Sequence, residues 1–311
     1  MNLSLKIPIV SPLFLFEQKE VLKTLGIAGF EGLTKKMHLK VSKEDLINRE
    51  YPEYSEILEP RSNPLIDEYV KFVKGNLNAY KNIVPFHFFP QWAFPLIGKS
   101  LRDLPISFIQ IMNAGFKVEI HNHIPRNEKL FVRSQLVKIE EKKNFLYFTV
   151  KIITETKSFK DALIAYLTTL IRLPKEKKEV VVESKKTMDD FNIPFGSKEI
   201  ASFNFSNTTG LNYAILSGDL NPVHWIEPYA KLMGLKTIIL HGFASASFCI
   251  EAIHQNLFTG DVSKLKEVEV KFTKPLFLPA KPKLYYLKET NQFFLGDSKL
   301  ARAYLVGNFK I

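Results

Sequence analysis

A single cysteine, Cys249, leaves no intrachain disulfide for the fold to rest on. Long apolar runs are also missing: no stretch reaches the roughly 18 residues that a membrane-crossing helix needs. Nor is there an acidic excess, because 43 Lys and Arg against 32 Asp and Glu leave a formal net charge of +11. The basic residues are scattered along the chain, and no fingerprint of a common nucleic-acid module is present. The charge therefore reads as dispersed solubility or as suited to an acidic partner, and nucleic acid is not expected. Residues 1–16 are partly apolar, but Pro8 and Pro12 break the run and no clear small-residue cleavage site follows. No leader is read there, and a cytoplasmic protein is expected.

What the chain does have is apolar volume. Of its 311 residues 46% are hydrophobic and 26 are Phe, enough for a sizeable core. A charged stretch from Lys175 to Asp190 divides the sequence, with Val180-Val181-Val182 the one segment in it that could pair as a strand. The expected organisation is an N-terminal domain over 1–174, a linker over 175–195 and a C-terminal domain over 196–311. A weak repeat agrees: Val118-Glu119-Ile120 precedes Pro125 as Val268-Glu269-Val270 precedes Pro275.

Apolar spacing predicts a helix over 65–73, an aromatic segment over 86–97 interrupted by Pro90 and Pro95, and strands over 117–120, 131–139, 145–156 and 161–173. The second half repeats the order. A strand over 201–205 is followed by a polar loop, a short helix over 227–233 ended by Gly234, and an extended run over 237–240. Next comes a longer helix over 242–257, then strands over 265–273, 283–289, 292–296 and 301–311. One small-residue-rich helix followed by antiparallel strands is an α+β layout.

The densest chemistry lies in Ser217-Gly218-Asp219-Leu220-Asn221-Pro222-Val223-His224, followed later by His241-Gly242. A carboxylate and an imidazole five residues apart on a Gly/Asn/Pro turn read as an acid/base pair. The helix that follows offers unpaired amides at its start. Asn221 and Pro222 are read as shaping the loop. Ser245 and Phe243 are candidates for the pocket wall, with helix–sheet packing the alternative for the serine.

These residues resemble the MaoC-like hydratase/dehydratase family, which includes R-specific enoyl-CoA hydratases. Its motif runs Ser-Gly-Asp-x-Asn-Pro-x-His, then a His-Gly helix start, and Lys271-Phe272-Thr273-Lys274-Pro275 is similar to the family's strand after the central helix. The resemblance implies a hotdog fold. The first half, whose Trp92-Ala-Phe-Pro-Leu and Asn113-Ala-Gly are similar to double-hotdog members, looks like a degenerate copy without its own Ser-Gly-Asp motif. The expectation is a double hotdog, two curved antiparallel sheets each wrapped around a helix, with one active site per chain.

The same resemblance implies reversible hydration of a trans-2-enoyl thioester to an (R)-3-hydroxyacyl thioester, most readily CoA-linked. An acyl-carrier-linked dehydratase and a non-catalytic acyl-thioester-binding module remain the alternatives. Asp219 and His224 are carried over as catalytic and Gly242 as the oxyanion hole, with Ser217, Gly218, Asn221, Pro222 and His241 supporting. No metal or other cofactor is implied, although His241 with Asp219 and His224 would make a metal-type triad. The expected partner is the acyl-CoA or acyl-carrier thioester itself, and a homodimer of such chains is compatible with the two-hotdog reading.

Overall fold

The computed structural model describes residues 10–19, 43–102, 104, 106, 111–173 and 191–311. The expected linker strand at Val180-Val181-Val182 and most of the linker lie outside the described residues.

The first half contributes β1 (Glu53–Leu58), β3 (Met112–Ile120), β5 (Leu130–Lys142), β6 (Phe145–Glu155) and β7 (Leu163–Arg172). The second contributes β8 (Lys198–Ser202), β9 (Glu267–Phe272), β10 (Lys283–Leu287), β11 (Gln292–Gly296) and β12 (Leu305–Lys310). These ten join in one antiparallel sheet in the order β1-β5-β6-β7-β3-β9-β12-β11-β10-β8. β2 (Ile83–Val84) and β4 (Ile124–Pro125) pair separately. β7 shows why such segments become strands: its side chains alternate buried and half-buried along the whole length, the period-two pattern of a sheet with one face on a core.

The helices are α1 (Lys43–Asn48), α2 (Asn63–Phe72), α3 (Pro90–Arg102), α4 (Thr209–Ser217), α5 (Glu227–Leu232) and α6 (Gly242–Leu257). α3 packs on β1, β5 and β6, and α6 packs on β8 and β12. Each half is thus five strands with one central helix, the two-hotdog layout, and the halves join edge to edge through β3 and β9. At that seam Val118 pairs with Val268 and Phe116 with Val270. The repeated Val-Glu triplets lie opposite one another, as an isologous junction between two copies requires.

Two elements differ from expectation. The segment from Thr209 to Ser217 is helical, although it carries no amphipathic period, because eight of its nine residues are buried and the helix is apolar nearly all round. α3 continues through Pro95, its apolar face held against the sheet. Smaller differences are at the ends: the strand read over 301–311 pairs only from Leu305, and the run over 237–240 makes a single bridge, Ile239 to Phe277.

A buried polar cluster ties the halves together behind α6. Glu251 accepts from Tyr80 Oη and lies 2.8 Å from His87 Nε2, and Tyr69 Oη donates to Ser247 Oγ at 2.8 Å. All five side chains are nearly inaccessible to water. The neighbouring imidazoles hold the Glu251 carboxyl at about 2 against the opposing effect of burial. A buried carboxylate needs such partners, since an unpaired charge in the interior is costly.

Candidate active site

The polar loop starts where α4 ends. Gly218 adopts φ +80°, the left-handed turn that terminates a helix, and its N–H bonds to Ala214 O. Asp219 follows, its N–H donating to Ser217 Oγ at 3.2 Å. Asn221 Oδ1 accepts the Val223 N–H, and Pro222 opens a short 3-10 helix, Pro222–His224, that delivers His224. Trp225 Nε1 donates back to Leu220 O at 3.3 Å and closes the loop.

His224 is 9% exposed and donates from Nδ1 to Ile239 O at 2.9 Å. A carbonyl only accepts, so the proton sits on Nδ1 and the Nε2 lone pair is free in the neutral ring. His241, the residue ahead of α6, donates from Nε2 to Asp219 O at 2.9 Å. The two imidazoles stack with centroids 3.6 Å apart. The Asp219 carboxylate and a ring nitrogen of each histidine all lie within 4.8 Å of one another.

Burial governs the protonation states. It pushes the Asp219 carboxyl up from its usual range, against the pull of His224. It pushes His224 below the ordinary histidine value, against Asp219, and holds His241 well below it. Both rings are therefore neutral near pH 7, and the carboxyl is biased toward keeping a proton.

The triad is compact enough to suggest a metal, but its donors do not suit one. A metal shared by rings stacked 3.6 Å apart would sit about 1.8 Å out of each ring plane, whereas an imidazole binds zinc in its plane at about 2.0–2.1 Å.

At α6 no side chain caps the first amides. Gly242 is required there for a reason the sequence did not suggest: a Cβ would meet the Phe272 ring at 2.7 Å. Phe243 is buried in an aromatic cluster with Phe89, Phe94, Phe116 and Phe272. The Ser245 and Ser247 hydroxyls donate to carbonyls one turn back, His241 O and Phe243 O.

Several residues around the site were not singled out by the sequence reading. Gly210 lets α4 approach the loop, since a Cβ there would meet His224 O at 2.1 Å. The buried Tyr213 ring packs 4.9 Å from His241. Ile239 supplies the carbonyl that orients His224. The first half also holds a partial counterpart of the motif that the sequence reading missed. Gly75-Asn76-Leu77-Asn78 follows α2 as Gly218-Asp219-Leu220-Asn221 follows α4. Asn76 Oδ1 accepts the Asn78 N–H, as Asn221 Oδ1 accepts that of Val223. An amide stands where the carboxylate is in the second half, and no imidazole follows in the next residues.

Residues 193–299 match the family described as MaoC like domain. The probable enoyl-CoA hydratase 2 of Dictyostelium discoideum is 20% identical over 205 residues, 60% of this chain and 64% of that protein. The chain spans less than two thirds of the length of the curated relatives it matches in these comparisons. Among solved structures, HtdX of Mycobacterium tuberculosis aligns with a TM-score of 0.65 at 19% identity, covering 83% of this chain and 99% of that one. A second Mycobacterium tuberculosis protein, described as having a double hotdog fold, aligns with a TM-score of 0.53 at 10% identity over 84% and 95% of the two chains. At these identities the likeness is one of fold, and the fold is the double hotdog.

Proposed function

We propose that this chain, a double hotdog whose residues 193–299 form a MaoC-like domain, is a hydro-lyase. It interconverts a trans-2-enoyl thioester and a 3-hydroxyacyl thioester, with CoA as the carrier. The observation that carries the reading is the pairing of a neutral His224, its Nδ1–H committed to Ile239 O, with the buried Asp219 carboxyl beside it. A relative named as a probable enoyl-CoA hydratase supports the reaction class.

In the hydration direction, His224 Nε2 takes a proton from water as the water oxygen bonds to C3 of the enoyl group. The C2–C3 π electrons move toward the thioester carbonyl, whose oxygen becomes enolate-like. The uncapped amides at Gly242 and the start of α6 receive that charge. The enolate then collapses and C2 takes the proton of the Asp219 carboxyl. A proton passed from His224 to Asp219 resets the pair, and dehydration runs the same steps backward. Proton transfer by such a pair contributes about 10²–10⁴-fold, and loss of one oxyanion donor costs about 10²–10³-fold.

The test is the loss of conjugated enoyl-thioester absorbance with crotonyl-, octenoyl- and dodecenoyl-CoA, beside Asp219→Asn and His224→Ala. Turnover by the wild type that disappears in both variants is the expected result. A well-folded protein that turns over none of the three esters would sink the CoA-hydratase reading, and would leave an acyl-carrier substrate or a non-catalytic thioester-binding module.

A further inference from the structure

The last carbonyls of a helix have no partner inside it. At the end of α4, Ala214 O is taken by the Gly218 N–H. The next two, Ile215 O and Leu216 O, are taken by a side chain from the other end of the chain. Gln18 Nε2 donates to them at 3.2 and 2.9 Å. Gln18 closes the 3-10 helix Pro12–Gln18 and is completely buried. Its own oxygen accepts from Gln91 Nε2 at 3.0 Å, and Gln91, on α3, accepts from Arg61 at 3.4 Å. Val10 N adds a bond to Asn212 Oδ1 on α4 at 3.3 Å.

We propose that Gln18, backed by Gln91, is a positioning residue for Asp219. The acid and the base hang from different supports. His224 is fixed by Ile239 O, far along the chain from α4. Asp219 hangs from the last turn of α4 through Ser217 and the Gly218 turn. Any rotation of that last turn moves the carboxyl relative to His224. Gln18 closes the two carbonyls that would otherwise leave the turn free to fray, and Gln91 orients its amide from the central helix of the first half. The degenerate half thereby contributes to the geometry of the acid/base pair, through a segment that touches neither catalytic side chain. This inference rests on the acid/base reading of Asp219 given above.

Gln18→Met, close in volume but without a donor, tests it by two independent readouts. Hydrogen–deuterium exchange at the Gly218 and Leu220 amides should rise about tenfold, with α6 unchanged. On an enoyl-CoA, kcat should fall about tenfold with KM within about twofold, since small misplacements of a reacting group are expensive. Gln18→Lys, whose ammonium can donate to the same two carbonyls, should recover most of the lost kcat. Wild-type exchange and kcat in a folded Gln18→Met protein would overturn the proposal. So would a lowered Tm with unchanged kcat, the signature of a purely structural clip. If Gln18→Met does not fold, Gln91→Leu removes only the donor to Gln18, and it should show smaller changes in the same direction; wild-type values there would overturn the proposal. If the wild type turns over no enoyl thioester, the catalytic reading fails, and the exchange readout still decides whether Gln18 holds the loop.

Discussion

His224 and His241 latch each other's surroundings. Their rings stack at 3.6 Å, His224 bonds to the carbonyl of Ile239, two residues ahead of His241, and His241 bonds to the carbonyl of Asp219, five residues ahead of His224. Each imidazole thus fixes the backbone that presents the other one or its acid partner. The arrangement makes His241 a positioning residue rather than a third proton carrier.

His241→Phe keeps the ring and removes the donor to Asp219 O. It should leave the protein folded and lower kcat about tenfold, less than the roughly 10²–10⁴-fold expected for His224→Ala. Steady-state kinetics on crotonyl-CoA compare the two. An equal loss in both variants would mean that His241 itself handles a proton.

The pH–rate profile follows from the direction of the His224 shift. Burial lowers its pKa, and the base works only when neutral. The acidic limb of kcat/KM should therefore have its midpoint below about 6.5, the ordinary histidine value. A midpoint above that value would contradict the desolvated, neutral ring described here.

Stability should decline on acidification from the same cause. His87, His224 and His241 all titrate lower in the folded state than in the unfolded chain, chiefly through burial. Folding therefore excludes protons that the unfolded chain binds. The stability these groups contribute is complete above about pH 6.5 and is lost as pH falls through their folded values. Glu251, held at about 2, adds a second loss between its ordinary value near 4.5 and 2. Urea midpoints across pH 7.5 to 5 should fall steadily, and a flat series would refute the assignment.

Asp219→Asn should separate activity from stability. The folded-state pKa of Asp219 is raised by burial, so its ionised form is disfavoured in the folded protein and the penalty grows as pH rises above the ordinary carboxylate range. Removing the charge should abolish turnover while Tm at pH 7 holds or rises, the trade expected of a strained active-site group. A clear fall in Tm would show that the carboxylate supports the fold.

Gly242→Ala places a Cβ 2.7 Å from the Phe272 ring. Overpacking of this kind typically costs about 1–3 kcal/mol, and Phe272→Leu in the same chain should recover part of it. Urea melts of the single and double variants measure the coupling. Full additivity would mean that the ring is not what excludes the side chain.

The sequence by itself determined the local chemistry and most of the elements. Asp219, Asn221, Pro222 and His224 are legible because a turn and an acid/base pair need those residue types within a few positions of each other. α6 was read with its observed bounds, since a small-residue run opened by glycine and followed by an apolar pattern has few other structures. The repeat of Val118 and Val268 also carried information, although their pairing across the seam is visible only once the strands have chosen partners. α4 was not legible, because a helix buried on nearly all sides has no amphipathic period to read. The tertiary structure alone decided what holds the chemistry in place. It aimed the Ile239 carbonyl at His224, fixed which nitrogen of each histidine keeps its proton, and brought Gln18 to the end of α4. Such contacts join residues far apart in the chain, and hydrogen bonds between distant positions leave no local pattern for a sequence to show.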